Sequence, residues 1–239
     1  MLGSSKAAVV ICAGGIGERM GAGKPKQFIE MADGTSIIRK TVDVFRSDAV
    51  RDIADVIVVT APEGFEEETD RLVNDTAGGS AYGEHAHIIT GGRQRQDSVR
   101  NALEFLAGMK TDMNGALLEP ALVDGDIVLI HDGARPFVTP DTIIAVADAA
   151  FEKQAAIAAV PVKDTIRDRE NGTLDRSRLY SVQTPQGFRF GLIRDAVEQA
   201  YSDGFYGTDD GSLAERAGVM PVIVSGSYAN IKITTPEDL

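Results

Sequence analysis

The sequence has no tryptophan, one cysteine (Cys12) and three histidines (His85, His87 and His131). A single thiol cannot close an internal disulfide, and no Cys/His cluster has the spacing of a zinc site. Cations are scarce too: 24 Lys and Arg stand against 36 Asp and Glu, a formal net charge of -12. A chain this acidic repels a nucleic-acid backbone as a whole, which argues against DNA or RNA as a partner. Any anionic ligand must be caught by a few locally placed cations. Long apolar runs are missing as well. Gly or Pro breaks the longest uncharged stretches, so no segment reads as a membrane-spanning helix and no membrane is expected as a partner. MLGSSKAAVVICAGG at the N-terminus reads as a first strand, not a leader peptide, because glycines and charges follow its short apolar run at once. These exclusions point to the cytoplasm. At 239 residues the chain suits one α/β domain over 1–239, with two small domains as the less favoured reading.

What is present is an alternation. Short, largely apolar runs at Ala7–Cys12, Val56–Val59, His87–Thr90, Ile127–Ile130 and Ala156–Val162 read as buried strands. Helical patterns lie between them. Ser36–Phe45 starts from Thr35 or Ser36 as cap, and Phe65–Val73 follows Pro62. Arg95–Phe105 sets Val99, Ala102, Leu103 and Leu106 on one face, and Thr139-Pro140-Asp141 opens a helix to Ala150. Further on, Gly191–Tyr201 and Asp210–Ala217 read as helices, Val222–Val224 and Asn230–Ile233 as strands, and Thr235-Pro236-Glu237 as a helix start. Strands alternating with helices predict an α/β fold with a parallel sheet covered by helices.

Chemistry-bearing residues cluster where strands end. AGGIGERMGAGKPKQF, Ala13 to Phe28, follows the first strand and carries Arg19, Lys24 and Lys26 among its glycines. It fits neither common phosphate motif. The dinucleotide fingerprint needs Gly where Met20 stands; the P-loop needs Gly at Glu18 and Ser or Thr at Pro25. What remains is a basic glycine loop at the carboxyl edge of a parallel sheet. Its backbone N–H groups can wrap a triphosphate, with Arg19 and Lys26 supplying charge. A flexible surface loop is the alternative. GGRQRQDSV, Gly91 to Val99, turns on two glycines into a helix. Backbone groups there can read a base edge, while Arg95 and Ser98 are either helix-start ligands or a solvated residue and a cap. In HDGARPF, His131 to Phe137, Asp132 suits polyol hydroxyls and Arg135 a phosphate. The alternative is an Asp–Arg ion pair bracing a turn, with His131 structural. QTPQGF (Gln183 to Phe188) and GTDDGSL (Gly207 to Leu213) read as loops. Lys232 interrupts an apolar strand and by alternation points to solvent.

Lys163 to Tyr180, KDTIRDRENGTLDRSRLY, breaks the pattern. It is nearly all polar, and Asn171-Gly172 is a two-residue hairpin signal. With no apolar face of its own, it is either a solvated hairpin or an arm that packs on another chain. A simple Asn-Gly register sets Arg167 opposite Arg176 and Asp168 opposite Asp175. Such like-charge pairing is unfavourable, and a register slip or an outside anion would relieve it.

Taken in order, AGGIGERM…KPKQF, GGRQRQDSV, HDGARPF, VPVKDTI, LYSVQTPQGF, GTDDGSL and GSYANIKITTPEDL carry a family resemblance. Over essentially its whole length the chain closely resembles the 2-C-methyl-D-erythritol 4-phosphate cytidylyltransferases of the non-mevalonate isoprenoid pathway. The resemblance implies a Rossmann-like, mostly parallel sheet flanked by helices, and a homodimer through exchanged β-arms at about 163–180. It implies CTP and methylerythritol phosphate as substrates, with Mg²⁺ bound mainly through the CTP phosphates. Position by position, it makes Arg19 and Lys26 the pair that stabilises the transition state, and Arg176 and Lys232 the pair that positions the substrate phosphate. Ala13, Gly14, Gly15, Gly92, Arg93, Ser98 and Gly133 become nucleotide contacts. Asp132, Arg135, Thr165, Thr184 and Thr208 fall on the substrate side, with Thr165 and Arg176 reaching across the dimer. There are departures: Gly14 and Gly133 stand where Ala is frequent, Glu18 where a basic residue is, Cys12 where Pro is, and Arg93 where Asp is.

The chemistry sets its own expectation. A phosphate monoester has its second pKa near ~6, so at neutral pH the nucleophile is already mostly a dianion. No general base is needed. Repulsion between that dianion and a triphosphate is the obstacle, and cations with Mg²⁺ must offset it while holding the in-line geometry. Ribitol 5-phosphate cytidylyltransferase shares this chemistry and is the alternative substrate reading. Gly14 leans toward it, while HDGARP, GTDDGSL and the C-terminal motif lean back. A non-catalytic nucleotide-binding protein is the alternative of another class, and the four retained cationic positions argue against it.

Overall fold

In the computed structural model, which describes residues 7–15, 25–75, 85–119 and 121–239, the first strand is apolar for a reason. Ala7, Val9 and Ile11 pack to one side of the sheet, Ala8 and Val10 to the other. Side chains alternate along a strand, so a continuous apolar run requires cover on both faces. In chain order the elements are β1 (Ala7–Cys12), α1 (Ile37–Phe45), α2 (Asp48–Arg51), β2 (Val56–Ala61), α3 (Glu66–Asn74), β3 (His87–Thr90), α4 (Arg95–Leu106), β4 (Ile127–Asp132), α5 (Pro140–Lys153), β5 (Ala155–Pro161), β6 (Arg167–Asp168), β7 (Gly172–Thr173), β8 (Tyr180–Arg189), α6 (Phe190–Ser202), α7 (Asp210–Arg216) and β9 (Val222–Ser225).

The described residues build a seven-stranded sheet in the order β3-β2-β1-β4-β8-β5-β9. It is parallel except for β8, which runs antiparallel to both neighbours. Residues of α1, α3 and α5 fill the core on one face, and residues of α4, α6 and α7 fill it on the other. The caps follow local chemistry: Arg39 N donates to Ser36 Oγ at 3.3 Å, and Thr142 N donates to Thr139 Oγ1 at 3.4 Å. Strand order reverses between β1 and β4, whose last residues, Cys12 and Asp132, lie side by side. At such a reversal a crevice opens beyond the carboxyl ends of the strands, where α/β sheets bind ligands. Among the described residues no helix is long and apolar enough to cross a membrane.

Two expectations need correction. Gln183–Phe188 is not a loop but the inner part of β8. Pro185 and Gly187 disguise it. Pro185 falls where the register against β5 shifts between Ile157 and Ala159, so pairing is already interrupted there. Gly187 is a packing requirement: a Cβ there would come within 3.0 Å of the Ala150, Leu129 and Val146 side chains. Asn230–Ile233, read as a strand, is irregular. Buried Asn230 donates its amide to Thr184 O at 2.9 Å, and Ile233 N donates to Ala134 O at 2.9 Å, so the segment is tied to β8 and the β4 turn without a ladder. The hairpin takes the slipped register: it pairs Arg167 with Thr173 and Asp168 with Gly172, so like charges do not oppose each other. Asp168 closes the turn by accepting from Glu170 N at 3.0 Å and Asn171 N at 2.6 Å. Arg176 lies beyond the pairing and donates to Lys163 O at 2.7 Å.

Candidate active site

Two cavities open at the reversal point. The first is lined by Cys12–Gly15, Lys26, Gln27, Gly92–Arg95, Ser98, Asp132–Ala134 and Lys232. The second is lined by Arg95, Asp132, Arg135, Ile157, Val182–Thr184, Gln186, Thr208, Asp209, Gly211, Ser212, Glu215 and Lys232. Arg95, Asp132 and Lys232 belong to both and form the wall between them.

The first cavity is built largely from backbone. Ala13 N donates to Thr60 O and to Thr60 Oγ1, each at 3.1 Å, which fixes the exit from β1. Gln27, buried, donates its amide to Ala13 O and, at 3.1 Å, to Gly15 O. Opposite them, Gly92 N donates to Ser98 Oγ at 2.9 Å. Gly92 has to be glycine: a Cβ would sit 2.2 Å from that of Asp97. Lys26 Nζ donates to Ile233 O at 2.8 Å, tying the turn after the glycine loop to the C-terminal segment. All seven expected nucleotide positions, Ala13, Gly14, Gly15, Gly92, Arg93, Ser98 and Gly133, line this cavity. Arg19 lies outside the described residues. Burial pushes the Cys12 thiol up to about 12, so this cysteine is no nucleophile.

The wall is a charge cluster. Asp132 Oδ1 accepts from Arg95 Nε at 3.2 Å, and Asp132 Oδ2 meets Lys232 Nζ at 2.9 Å and Arg135 Nε at 3.4 Å. Arg95 Nη2 reaches on to Asp210 Oδ2 at 2.7 Å. Burial alone would raise the Asp132 carboxyl, but Arg95, then Lys232 and Arg135, hold it well below the usual carboxylate range. Burial also works against the Arg95 charge, and the neighbouring acids, Asp210 foremost, more than offset it. Beneath the wall, His131 Nε2 donates to Arg135 O at 3.1 Å. That fixes Nδ1 as an acceptor for the Thr184 hydroxyl at 3.0 Å, while Thr184 Oγ1 accepts from Asp132 N at 3.0 Å. Burial pushes His131 down to about 4. With both ring nitrogens engaged, it serves the turn's architecture and not proton transfer.

The second cavity is built from side chains. Gln186 Nε2 donates to Asp209 Oδ2 at 2.8 Å and Gln186 Oε1 accepts from Gly211 N at 2.9 Å. Asp209 Oδ1 caps α7 by accepting from Ser212 N at 2.9 Å. Of the expected substrate-side residues, Asp132, Arg135, Thr184 and Thr208 line this cavity. Thr165 and Arg176 are exposed in the hairpin region, and among the described residues they line neither cavity. Arg135 also makes the bracing ion pair that was its alternative reading, and its Nη1 donates to Asn230 O at 2.7 Å. Lys232 is exposed, as alternation implied, and its Nζ also reaches the wall at Asp132 Oδ2. Sequence reasoning passed over Gln27, Asp210 and Gln186, and left Arg95 undecided. The available signal was position for Arg95 and Asp210, each at the start of a helix beside a glycine-containing motif.

The family model described as 2-C-methyl-D-erythritol 4-phosphate cytidylyltransferase matches residues 7–239. A relative of that name from Bacillus cereus is 42% identical over 236 residues, covering 97% of this chain and 93% of the relative. One of the same name from Halalkalibacterium halodurans is 43% identical over 235 residues, covering 97% and 92%. Among solved structures, 2-C-methyl-D-erythritol 4-phosphate cytidylyltransferase from Thermus thermophilus superposes with a TM-score of 0.72 at 30% identity, covering 98% of this chain and 95% of that one. The Francisella tularensis structure of that name gives 0.76 at 29% identity, covering 98% and 96%.

Proposed function

This chain belongs to the 2-C-methyl-D-erythritol 4-phosphate cytidylyltransferase family, and we propose that its two cavities divide that reaction between them. It is a nucleotidyltransferase: CTP and 2-C-methyl-D-erythritol 4-phosphate give 4-CDP-2-C-methyl-D-erythritol and pyrophosphate, a step of non-mevalonate isoprenoid biosynthesis. In the proposed arrangement CTP lies in the glycine-lined cavity and the polyol phosphate in the second. The observation that carries this is the shared wall of Lys232, Asp132 and Arg95. A group passed from one ligand to the other must cross there.

A phosphate oxygen of the polyol substrate attacks the α-phosphorus of CTP. The new P–O bond forms as the α–β bridging bond breaks, and pyrophosphate leaves with that electron pair. The dianionic nucleophile brings its own electrons, so a neutral, engaged His131 is no obstacle. Lys26 and Arg19 meet the charge that grows on the α-phosphate, and Lys232 with Arg176 orients the attacking phosphate. Asp132 and Thr208 take the polyol hydroxyls. Thr184 already donates its hydroxyl to His131, so it offers a ligand a lone pair. The donor set fits a Mg²⁺ carried in by the triphosphate. Among the described residues no three His, Cys, Asp or Glu side chains converge on one point, and Asp132 is ringed by cations. Bound through the CTP phosphates, Mg²⁺ would supply further charge neutralisation.

The arm supports a homodimer. β6 and β7 form a sheet of their own, apart from the main one. Ile166 and Leu174 on the arm, with Tyr180 and Val182 at the start of β8, are exposed apolar side chains. Packing them on a second copy would cover them and carry Thr165 and Arg176 toward that copy's second cavity. Pyrophosphate release from CTP, measured with each polyol phosphate in turn, tests the substrate assignment. Methylerythritol phosphate should turn over faster; faster turnover of ribitol 5-phosphate would reverse it.

A further inference from the structure

The wall contains a half-buried cation and a buried acid that the proposed reaction does not use. Arg95 enters from the start of α4 and Asp210 from the start of α7. Their 2.7 Å contact joins residues 115 positions apart, and Asp210 is only 1% exposed. The same guanidinium donates to Asp132 Oδ1 through Nε. The other carboxylate oxygen, Oδ2, holds Lys232 and Arg135. So the two oxygens of Asp132 face different duties.

Lys232 Nζ rests on Asp132 Oδ2. To hold a dianionic phosphate, this ammonium must turn partly away from the carboxylate. A buried carboxylate deprived of its partners carries a large penalty, which would keep the lysine where it is. Arg95 can prevent that. It stays on Oδ1 whatever Lys232 does, because Asp210 grips its far end. Arg135 is a weaker substitute, since its contact is longer, at 3.4 Å, and its Nη1 is engaged by Asn230 O. We infer that Arg95, anchored by Asp210, is a positioning residue that keeps Asp132 compensated through Oδ1 and so lets Lys232 turn from Oδ2 to the incoming phosphate. This rests on the assignment of Lys232 to the substrate phosphate.

Steady-state kinetics of the full chain with CTP and methylerythritol phosphate test it. Arg95→Gln removes the charge and keeps a hydrogen-bonding side chain. It should raise KM for the polyol phosphate about 10-fold, the scale of losing a charged hydrogen bond. KM for CTP should stay within about 3-fold, because the glycine-lined cavity is untouched. Asp210→Asn loosens the anchor without removing the cation and should give the same split at roughly 3-fold, which keeps the test open if Arg95→Gln does not fold. In an Asp132→Asn background the carboxylate that detains Lys232 is gone, so adding Arg95→Gln should change kcat/KM by less than about 2-fold. A rise confined to KM for CTP would make Arg95 a triphosphate ligand and overturn the inference. Full additivity of Arg95→Gln and Asp132→Asn would overturn it as well. Lys232→Ala separates the two levels: if it leaves KM for the polyol phosphate unchanged, the Lys232 assignment itself fails.

Discussion

The two cavities share a wall and are built by opposite means. The first is mostly backbone, from glycines and short turns clamped by Gln27 and Ser98. The second is mostly side chains, drawn from β8, the β4 turn, the start of α7 and the C-terminal segment. Every described position expected to touch the nucleotide lines the first cavity. On the substrate side, Thr165 and Arg176 stay out in the hairpin region. A backbone cradle is complete once its own loops are folded. A side-chain cavity can be left open for groups that arrive from elsewhere, as the proposed dimer requires.

The sharpest way to break that contrast is at Lys26, which lines the first cavity. Its proposed work is in the transition state, as charge builds on the α-phosphate. Lys26→Ala should lower kcat by at least ~10²-fold, the scale of losing one preorganised donor. Unchanged kcat with only a raised KM for CTP would reduce Lys26 to ground-state binding.

The next test asks whether the second cavity is completed by a partner. Arg176→Ala and Lys26→Ala subunits, each inactive alone, are mixed. With sharing across the dimer, every heterodimer has one doubly mutated site and one intact site. About half the dimers are mixed at random, so roughly a quarter of wild-type activity should return, given free exchange and independent sites. A dead mixture in which mass spectrometry finds heterodimers would mean that Arg176 serves its own chain.

The same contrast governs what the sequence could reveal. Much of the glycine-lined half lies in contiguous motifs, so AGG and GGRQRQDS could be read in place, although Gln27 was passed over. The wall was not readable this way. Arg95 and Asp210 each have an ordinary local role at a helix start, and only the fold brings them to 2.7 Å. β8 escaped because Pro185 and Gly187 are turn residues by propensity, while a register shift and the packing of α5 make them suitable inside a sheet. Lys232 is exposed as read, but its contact with Asp132 was not legible, because alternation assumes a strand and Asn230–Ile233 is not one. Strand runs, helix faces and caps were legible because each is decided by neighbours in sequence.

A smaller effect should come from the support under the second cavity, where the Thr184 hydroxyl joins His131 to the Asp132 backbone. His131 stays neutral in the folded chain down to about 4, against an ordinary value of 6.5. Between those values the unfolded chain binds a proton that the folded chain refuses, so stability falls as pH falls through this window. The loss should be about 1 kcal/mol from pH 6 to pH 5. Asp132 does not contribute there, because its cations keep it ionised well below that range. Urea unfolding at the two pH values should show a clearly reduced difference in His131→Gln. An unchanged difference would place the pH dependence elsewhere.

The smallest effect should come from Gly14, in the turn that leaves β1. A Cβ at Gly14 would lie 2.8 Å from Ser98 Oγ and 3.4 Å from Gly91 Cα. The hydroxyl is the easier of the two to move, so Gly14→Ala should turn Ser98 and weaken its bond from Gly92 N, now 2.9 Å. That bond holds one side of the backbone cradle against the other. Losing a neutral hydrogen bond of about 1 kcal/mol predicts a rise in KM for CTP of roughly 3- to 5-fold. KM for methylerythritol phosphate and kcat should hardly change, because the Lys232–Asp132–Arg95 wall is not displaced. Titrating each substrate at saturation of the other separates the two. If Gly14→Ala moved the polyol phosphate KM instead, the cavities would be coupled through the cradle, and the division between a backbone half and a side-chain half would not hold.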